Sequence, residues 1–409
     1  MKRKIWAVLL SICTFAMLFT GCGSSSSSDS DSKDSDEKEE SAGMAVEDVK
    51  VGVIYIGDEN DAYSLSHMTG IDDMQEALGL SDDQILEKTT IPEDEQCYDA
   101  AVDLADNGCN IIFSTSFGHE DFLVQAAEEY PDVIFCAVSG YQASSSELDN
   151  MYNMYTKISE ARYVSGVVAG LKVQEMIDNG EIKADEAKLG YVGAFPYAEV
   201  ISGFTAFYLG AKSVCSDVTM EVVYTNSWGD TTREAEAAKA LIANHCVLLS
   251  QQANTTGCPT TCEEAGVPVV GYNIDMRSVA KTCALTSPTN HWGVCYTAFV
   301  QSVIDGDEIP VDQSFGLADG AVGITELGDA CAEGTEDKVE ETIAGISDGS
   351  IKIFDLSTFT IDGKTLDKLD YKVNDTDYSA FCHDGGFFEG EVQSTPAFDI
   401  MIDGITADE

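Results

Sequence analysis

The sequence predicts an α/β protein of two lobes, each a parallel sheet wound with helices, and three observations carry that reading. The chain has 409 residues, more than one compact core usually holds. Asn110 to Tyr141 reads as one strand–helix–strand unit. In it, Ile111 to Phe113 and Val133 to Val138 are short apolar runs of the kind buried on both faces of a sheet. Between them Phe122, Leu123, Ala126 and Ala127 keep helical spacing, and Pro131 ends the helix. Such a unit implies parallel strands and a right-handed crossover. The third observation is that the unit recurs along the chain.

In the first lobe, Lys50 to Ile56 is a predicted strand, Ser64 to Leu78 a helix, Ile85 to Thr90 a strand and Gln96 to Asp106 a helix. The Asn110–Tyr141 unit follows, then a strand over Met151 to Thr156. Ile158 to Ile177 is a long helix whose small residues, Ala161, Ser165, Gly166, Ala169 and Gly170, permit close packing. The second series has strands over Lys188 to Ala194, Met220 to Thr225, Cys246 to Ser250 and Val267 to Gly271. Its helices are Glu199 to Lys212, Thr231 to Ala243 with Thr231 or Thr232 as cap, and a short one ending at Ala265. Beyond lie a strand at Thr282 to Thr286, a helix from His291 to Ile304 that returns to the first lobe, a strand at Ala321 to Thr325 and a helix over Lys338 to Ile346. Ile351 to Gly363 reads as short β segments. From about Tyr371 onward, turn formers and aromatics alternate without a period that assigns elements.

The two ends differ in kind from the body. Met1 to Gly21 reads as an export signal, with Lys2-Arg3-Lys4 ahead of an apolar stretch too short to span a bilayer comfortably. It ends Leu18-Phe19-Thr20-Gly21-Cys22, which resembles a bacterial lipobox with Cys22 as the lipid attachment site; a plain signal peptide cut near Gly21 is the alternative. Residues 22–48 form an acidic, serine-rich linker with too little apolar surface to offset its ordering entropy.

Charge and composition exclude several functions. The formal net charge is −50, from 72 acidic and 22 basic residues. That argues against nucleic acid and against an anionic membrane surface as the ligand, and it fits a solvated acidic exterior. Of the 13 cysteines, Cys97, Cys109, Cys136, Cys246, Cys283 and Cys295 sit mostly in apolar runs, where a thiol acts as a small hydrophobe. There is no Gly-x-Ser-x-Gly, no Walker loop and no Gly-x-Gly-x-x-Gly after a strand. The histidines lack the spacing of a helical zinc site and read as surface or hydrogen-bonding residues. No catalytic set, metal or cofactor is expected.

What stands out is a set of aromatics and carboxylates at predicted strand ends. Asp61 and Tyr63 follow the first strand, and Ser116 and Phe117 follow Ile111–Phe113. Phe195 and Glu199 come after the strand at Gly190, and Trp228 after that at Val222. Tyr272, Asn273 and Asp275 come after the strand at Val269, and Asn290, His291 and Trp292 after Thr286. In open parallel sheets ligands bind beyond the carboxyl ends of the strands. Rings there would sandwich a flat heterocycle, and carboxylates would accept hydrogen bonds from its edge.

Several stretches together resemble one family: Val51-Gly-Val-Ile-Tyr-Ile-Gly, Phe113-Ser-Thr-Ser-Phe-Gly, Gly190-Tyr-Val-Gly-Ala-Phe-Pro-Tyr-Ala-Glu-Val, Thr225-Asn-Ser-Trp and Gly271-Tyr-Asn-Ile-Asp-Met. The family is that of the basic membrane protein (Bmp) lipoproteins, substrate-binding proteins of ABC importers for purine nucleosides and bases. The resemblance implies a type I periplasmic-binding-protein fold, two Rossmann-like lobes joined by three hinge crossings. It divides the body into lobe 1 (49–157, with about 287–319), lobe 2 (158–286, with about 320–363) and a C-terminal extension (364–409). It implies a monomer, lipid-anchored at the extracytoplasmic face of the cell membrane, that delivers a purine to ABC permease subunits. Its motifs land on Asp61, Tyr63, Ser116, Phe117, Phe195, Glu199, Trp228, Asp275 and Trp292 as ligand contacts. The chain departs from the family pattern at Tyr63, His119, Ser250–Gly257 and Asn290, which leaves a sugar, an amino acid or a signalling molecule open as the ligand, and a surface sensor with a protein partner open as the role.

Overall fold

The computed structural model describes residues 43–408. The export signal, Cys22 and most of the acidic linker lie outside these residues.

The chain builds strands and helices alternately from its start. They are β1 (Val51–Ile54), α1 (Ala62–Leu78), β2 (Ile85–Lys88), α2 (Glu95–Asp106), β3 (Ile111–Ser114), α3 (Glu120–Glu129), β4 (Ile134–Val138), α4 (Ala143–Ser146) and β5 (Met151–Thr156). A later strand, β12, completes the first sheet, in the order β12-β5-β4-β3-β1-β2, with β12 spanning Asp312–Phe315. Every pair in it is parallel. Alternation along each strand feeds two apolar layers, since successive side chains point to opposite faces. Ile111, Phe113, Cys136 and Val138 join one cluster, which also holds Ile71 and Met74 of α1. Ile112, Phe135 and Ala137 join another, with Leu104 of α2 and Leu123 of α3.

The second sheet follows the same plan. Its elements are α5 (Ile158–Asp178), β6 (Lys188–Gly193), α6 (Ala198–Val214), β7 (Thr219–Tyr224), α7 (Thr231–Ala243), β8 (Leu248–Gln252), α8 (Gly257–Ala265), β9 (Val269–Val270) and β10 (Ala284–Thr286). The strand order is β10-β9-β8-β6-β7-β19, where β19 is Ile405–Ala407 near the end of the chain. These pairs too are all parallel. The fold class expected from the sequence is therefore the one observed. Two details differ. The cap of α7 is Asp230, one residue before the expected threonines, and its carboxylate accepts from the Thr232 and Arg233 amides. β8 runs two residues further than expected because Gln251 and Gln252, polar in sequence, are buried in the sheet.

The chain passes between lobes at β5–α5, between β10 and β11 (Pro288–Asn290), and from β12 to β13 (Val322–Ile324). β11 and β13 pair antiparallel, as a short ribbon at the crossing. Between them α9 (Trp292–Asp305) returns to the first lobe, where Trp292, Tyr296 and Phe299 join its core. Asn290 ties the crossings together: its Oδ1 accepts from the Thr156 hydroxyl at 2.6 Å, and its amide donates to Asn273 Oδ1 at 3.2 Å.

After α10 (Thr335–Ser347) come the short β segments expected over Ile351 to Gly363 and then, from about Tyr371, the stretch without a period. The short strands here are β14 (Phe354–Asp355), β15 (Lys372–Val373), β16 (Thr376–Asp377), β17 (Cys382–His383) and β18 (Gly386–Phe387). Three tight turns punctuate them, at Asp362-Gly363, Asn374-Asp375 and Asp384-Gly385, and all six residues have positive φ. That is the geometry of a two-residue hairpin turn, which Asn, Asp and Gly adopt most readily. Past them, Phe398, Ile400, Ile402 and Ile405 enter the core of the second lobe, and β19 pairs with β7 from Ile405 against Met220.

All eleven cysteines among the described residues are free thiols, nine of them buried. Burial pushes the Cys97 and Cys295 thiols up to about 12.

The small residues of α5 are explained by α6. A Cβ on Gly166 would stand 2.0 Å from the Phe207 carbonyl oxygen, and one on Gly210 would stand 2.1 Å from that of Tyr163. The two backbones touch, so no side chain can yield. Gly166→Ala gains about 1 kcal/mol of helix propensity but forces the helices apart, at about 1–3 kcal/mol for overpacking. A net loss of stability is expected, read as a lower urea midpoint; a midpoint at or above that of the natural chain would contradict the packing.

Candidate functional site

The order of each sheet reverses at one place: between β1 and β3 in the first lobe, and between β6 and β8 in the second. Such switch points open a crevice beyond the strand ends. Here the two crevices face one another, and between them lies a cavity with an empty volume of about 400 Å³. Ile56 lines it from the end of β1, and Thr115, Ser116 and Phe117 from the end of β3. The second lobe supplies Glu199 after β6, Trp228 after β7, Asn254 after β8 and Tyr272 after β9.

Five of the nine contacts expected from the sequence line this cavity: Tyr63, Ser116, Phe117, Glu199 and Trp228. Each side chain is held from behind. The Tyr63 hydroxyl donates to the Thr115 carbonyl at 2.8 Å, and its ring stands edge-on to His67 at 4.5 Å. Ser116 donates to Glu93 at 2.6 Å. Trp228 meets the Phe195 ring edge-on at 5.2 Å, and its carbonyl accepts from the Asn254 amide at 2.8 Å.

The other four are placed elsewhere. Phe195 braces Trp228 and stacks on Tyr197 at 5.1 Å, behind the lining. Trp292 is fully buried. It stacks on His67 at 4.1 Å and meets Tyr63 and Tyr155 edge-on at 6.4 and 5.8 Å, one layer behind the cavity. Asp61 caps α1, accepting from the Ser64 amide at 2.7 Å, and lies at the rim. Burial pushes its carboxyl up, against hydrogen bonds from Ser64 and, across the cleft, from Asn254. Asp275 is drawn away by charge: it caps a short turn and pairs with Arg277. The Arg277 partnership holds its carboxyl below the usual range.

Thr115, Ser139, Asn254 and Tyr272 complete the lining. Tyr272 stood among the strand-end aromatics. Ser139 could have been found by the same rule, since it follows β4. It has φ +93°, a strained conformation for a residue with a side chain. Asn254 lies in Ser250–Gly257, the segment that departs from the family pattern.

Charge in the site is concentrated on Glu199. Burial pushes its carboxyl up, opposed by hydrogen bonds from Tyr155 and Gln252 and by the Arg162 guanidinium. Arg162 is wholly buried on α5. Its guanidinium lies over the Tyr272 ring at 3.9 Å, and it donates to the Gln251 carbonyl at 2.7 Å. A buried cation is costly without such compensation. His67, also buried, is held well below its ordinary value by desolvation and is a neutral member of the stack. Among the described residues no group of three or more His, Cys, Asp or Glu could hold a metal ion.

Two lobes with a ring-lined cavity at facing switch points have the build of a solute-binding protein. Residues 48–355 match the family model described as ABC transporter substrate-binding protein PnrA-like (Bmp); the chain belongs to this family, whose members bind small-molecule ligands, work with ABC permeases and are not enzymes. A purine-binding protein of Brucella abortus (strain 2308) is 31% identical over 338 residues, covering 82% of this chain and 91% of the relative. A relative in Haloferax volcanii, named for glucose binding by an ABC transporter, is 27% identical over 314 residues, 76% of each chain. An ABC transporter solute-binding protein from Aeropyrum pernix K1 has the same fold, with a TM-score of 0.62 at 17% identity, covering 79% of this chain and 96% of that one.

The loop carrying Asn254 depends on Glu234, which accepts from the Thr255 hydroxyl at 2.7 Å and its amide at 3.3 Å. Burial raises this carboxyl from an ordinary 4.5 to about 7. The folded chain therefore holds the proton more tightly than the unfolded one. The stability this confers is full below about pH 4.5 and is lost as pH rises through 7. Urea titrations of the natural chain and Glu234→Gln should show the variant gaining about 2 kcal/mol relative to the natural chain between pH 5 and 7.5. A pH-independent difference would place the proton elsewhere.

Proposed function

We propose that the protein captures a purine base or nucleoside between its lobes and hands it to an ABC importer. One observation supports this most: Phe117 from the first lobe and Trp228 from the second line the same cavity, with the Glu199 carboxylate at its edge. Rings offered from both lobes suit a flat heterocycle, and a carboxylate suits its N–H groups. The relative in Brucella abortus, named as purine-binding, supports the same ligand class. In this reading Cys22 is lipidated and tethers the monomer to the membrane through the acidic linker.

The relative named for glucose binding favours a second reading, a sugar held against the same rings. Calorimetry with adenine, guanine, hypoxanthine, adenosine, guanosine and glucose separates the two. Heat with at least one purine and none with glucose is the expected result; the reverse would overturn the purine assignment. Trp228→Ala should weaken purine binding by about 1–3 kcal/mol, the worth of one stacked ring. Cys22→Ala should move the protein from the membrane fraction to the soluble fraction, and an unchanged distribution would dismiss the lipid anchor.

A further inference from the structure

The matched family region ends at residue 355, but the chain runs on, and part of the remainder reaches the cleft. Glu389 is its anchor. One carboxylate oxygen accepts from the Ser202 hydroxyl of α6 at 2.8 Å. The other accepts from the Ala397 and Phe398 amides at 3.1 and 3.2 Å, which closes residues 389–398 into a loop. That loop then touches the first lobe. The Ser394 amide donates to Asp312 at 2.9 Å, and the Thr395 hydroxyl to the Gly140 carbonyl at 3.4 Å. Within ten residues the segment is fastened to both lobes.

It also walls a second cavity, with an empty volume of about 1020 Å³, that adjoins the first. The two share Phe117, Ser139 and Glu199. The outer one adds Tyr141 and Tyr197 from the lobes, and Gln393, Thr395 and Pro396 from the segment. Its rings are half-exposed, Phe117 at 43%, Tyr141 at 51% and Tyr197 at 47%, and Phe117 stacks on Tyr141 at 5.7 Å and on Tyr197 at 6.2 Å. At the junction the Ser139 side chain is buried, beside the Tyr63 hydroxyl. Among the described residues, no Lys or Arg lines either cavity, and Glu199 faces both.

We propose that residues 389–398 form a fixed side wall of the binding site, and that Gln393 and Thr395 contact a group carried by the heterocycle. Half-exposed, mutually stacked rings beside an amide, hydroxyls and a carboxylate suit an uncharged, hydroxylated substituent, that is, a sugar ring. A phosphate would meet Glu199 in a lining without Lys or Arg; the Arg162 guanidinium, which offsets Glu199 itself, is buried over the Tyr272 ring. The receptor then selects a nucleoside over the bare base and over the nucleotide. This inference rests on the purine reading above.

The test uses the full-length protein and calorimetry with hypoxanthine, inosine and inosine 5′-monophosphate, and with the corresponding guanine and adenine sets. The nucleoside is expected to bind at least tenfold more tightly than its base and at least tenfold more tightly than its monophosphate. Gln393→Ala and Thr395→Ala should each weaken nucleoside binding fivefold or more and leave base binding within twofold. Thr395→Ser, which keeps the hydroxyl, should restore the nucleoside affinity, and thermal melts confirm that each variant is folded. Equal affinity for base and nucleoside, or nucleoside binding unmoved by both alanine variants, overturns the wall while leaving the purine reading intact. No heat with any purine overturns both.

Discussion

Everything at the binding site depends on where two parallel sheets reverse their winding. Chain leaving β1 turns one way and chain leaving β3 the other, so their ends part and leave backbone and side chains facing outward. The second lobe does the same at β6 and β8. Parallel pairing requires helices on both faces of each sheet, which leaves the strand ends as the places where the lobes can offer polar groups. Function is therefore confined to a few residues per strand end, and the interior of each lobe is left to packing.

The ring stack behind the cavity shows how that confinement is made rigid. Tyr63 is positioned by His67, His67 by Trp292 and the Tyr296 hydroxyl, which lies 2.7 Å from its Nδ1. On the opposite side Trp228 is positioned by Phe195 and Tyr272 by Arg162. A ring fixed by other rings loses little freedom when a ligand arrives, which lowers the ordering cost of binding. Residues one layer removed thus share the composition of the lining itself.

That shared composition explains what could and could not be read from the sequence. The strands and helices were legible because apolar runs and helical spacing report burial directly; Met151–Thr156 and Thr231–Ala243 are observed at the expected bounds. That Tyr63, Ser116, Phe117, Glu199 and Trp228 line the cavity was legible because they follow strand ends, where an open parallel sheet leaves a crevice. Phe195 and Trp292 were placed one layer too far forward, since an aromatic at a strand end can face the cavity or stand behind another ring. Asp275 was drawn off by Arg277, two residues away, a local pairing that a strand-end rule does not weigh. The stretch beyond Tyr371 was opaque because hairpins of two-residue strands have no period to detect, and because its docking partners, Ser202 and Asp312, are far away in sequence.

The thiols carry a consequence of their own. None of the eleven is bonded to another, and nine are sealed inside the lobes, where the reactive thiolate is scarce. The same burial makes each lobe its own gauge of breathing. A thiol-specific reagent can mark Cys136 or Cys258 only when the surrounding layer opens, so labelling rates chart local unfolding without any added probe.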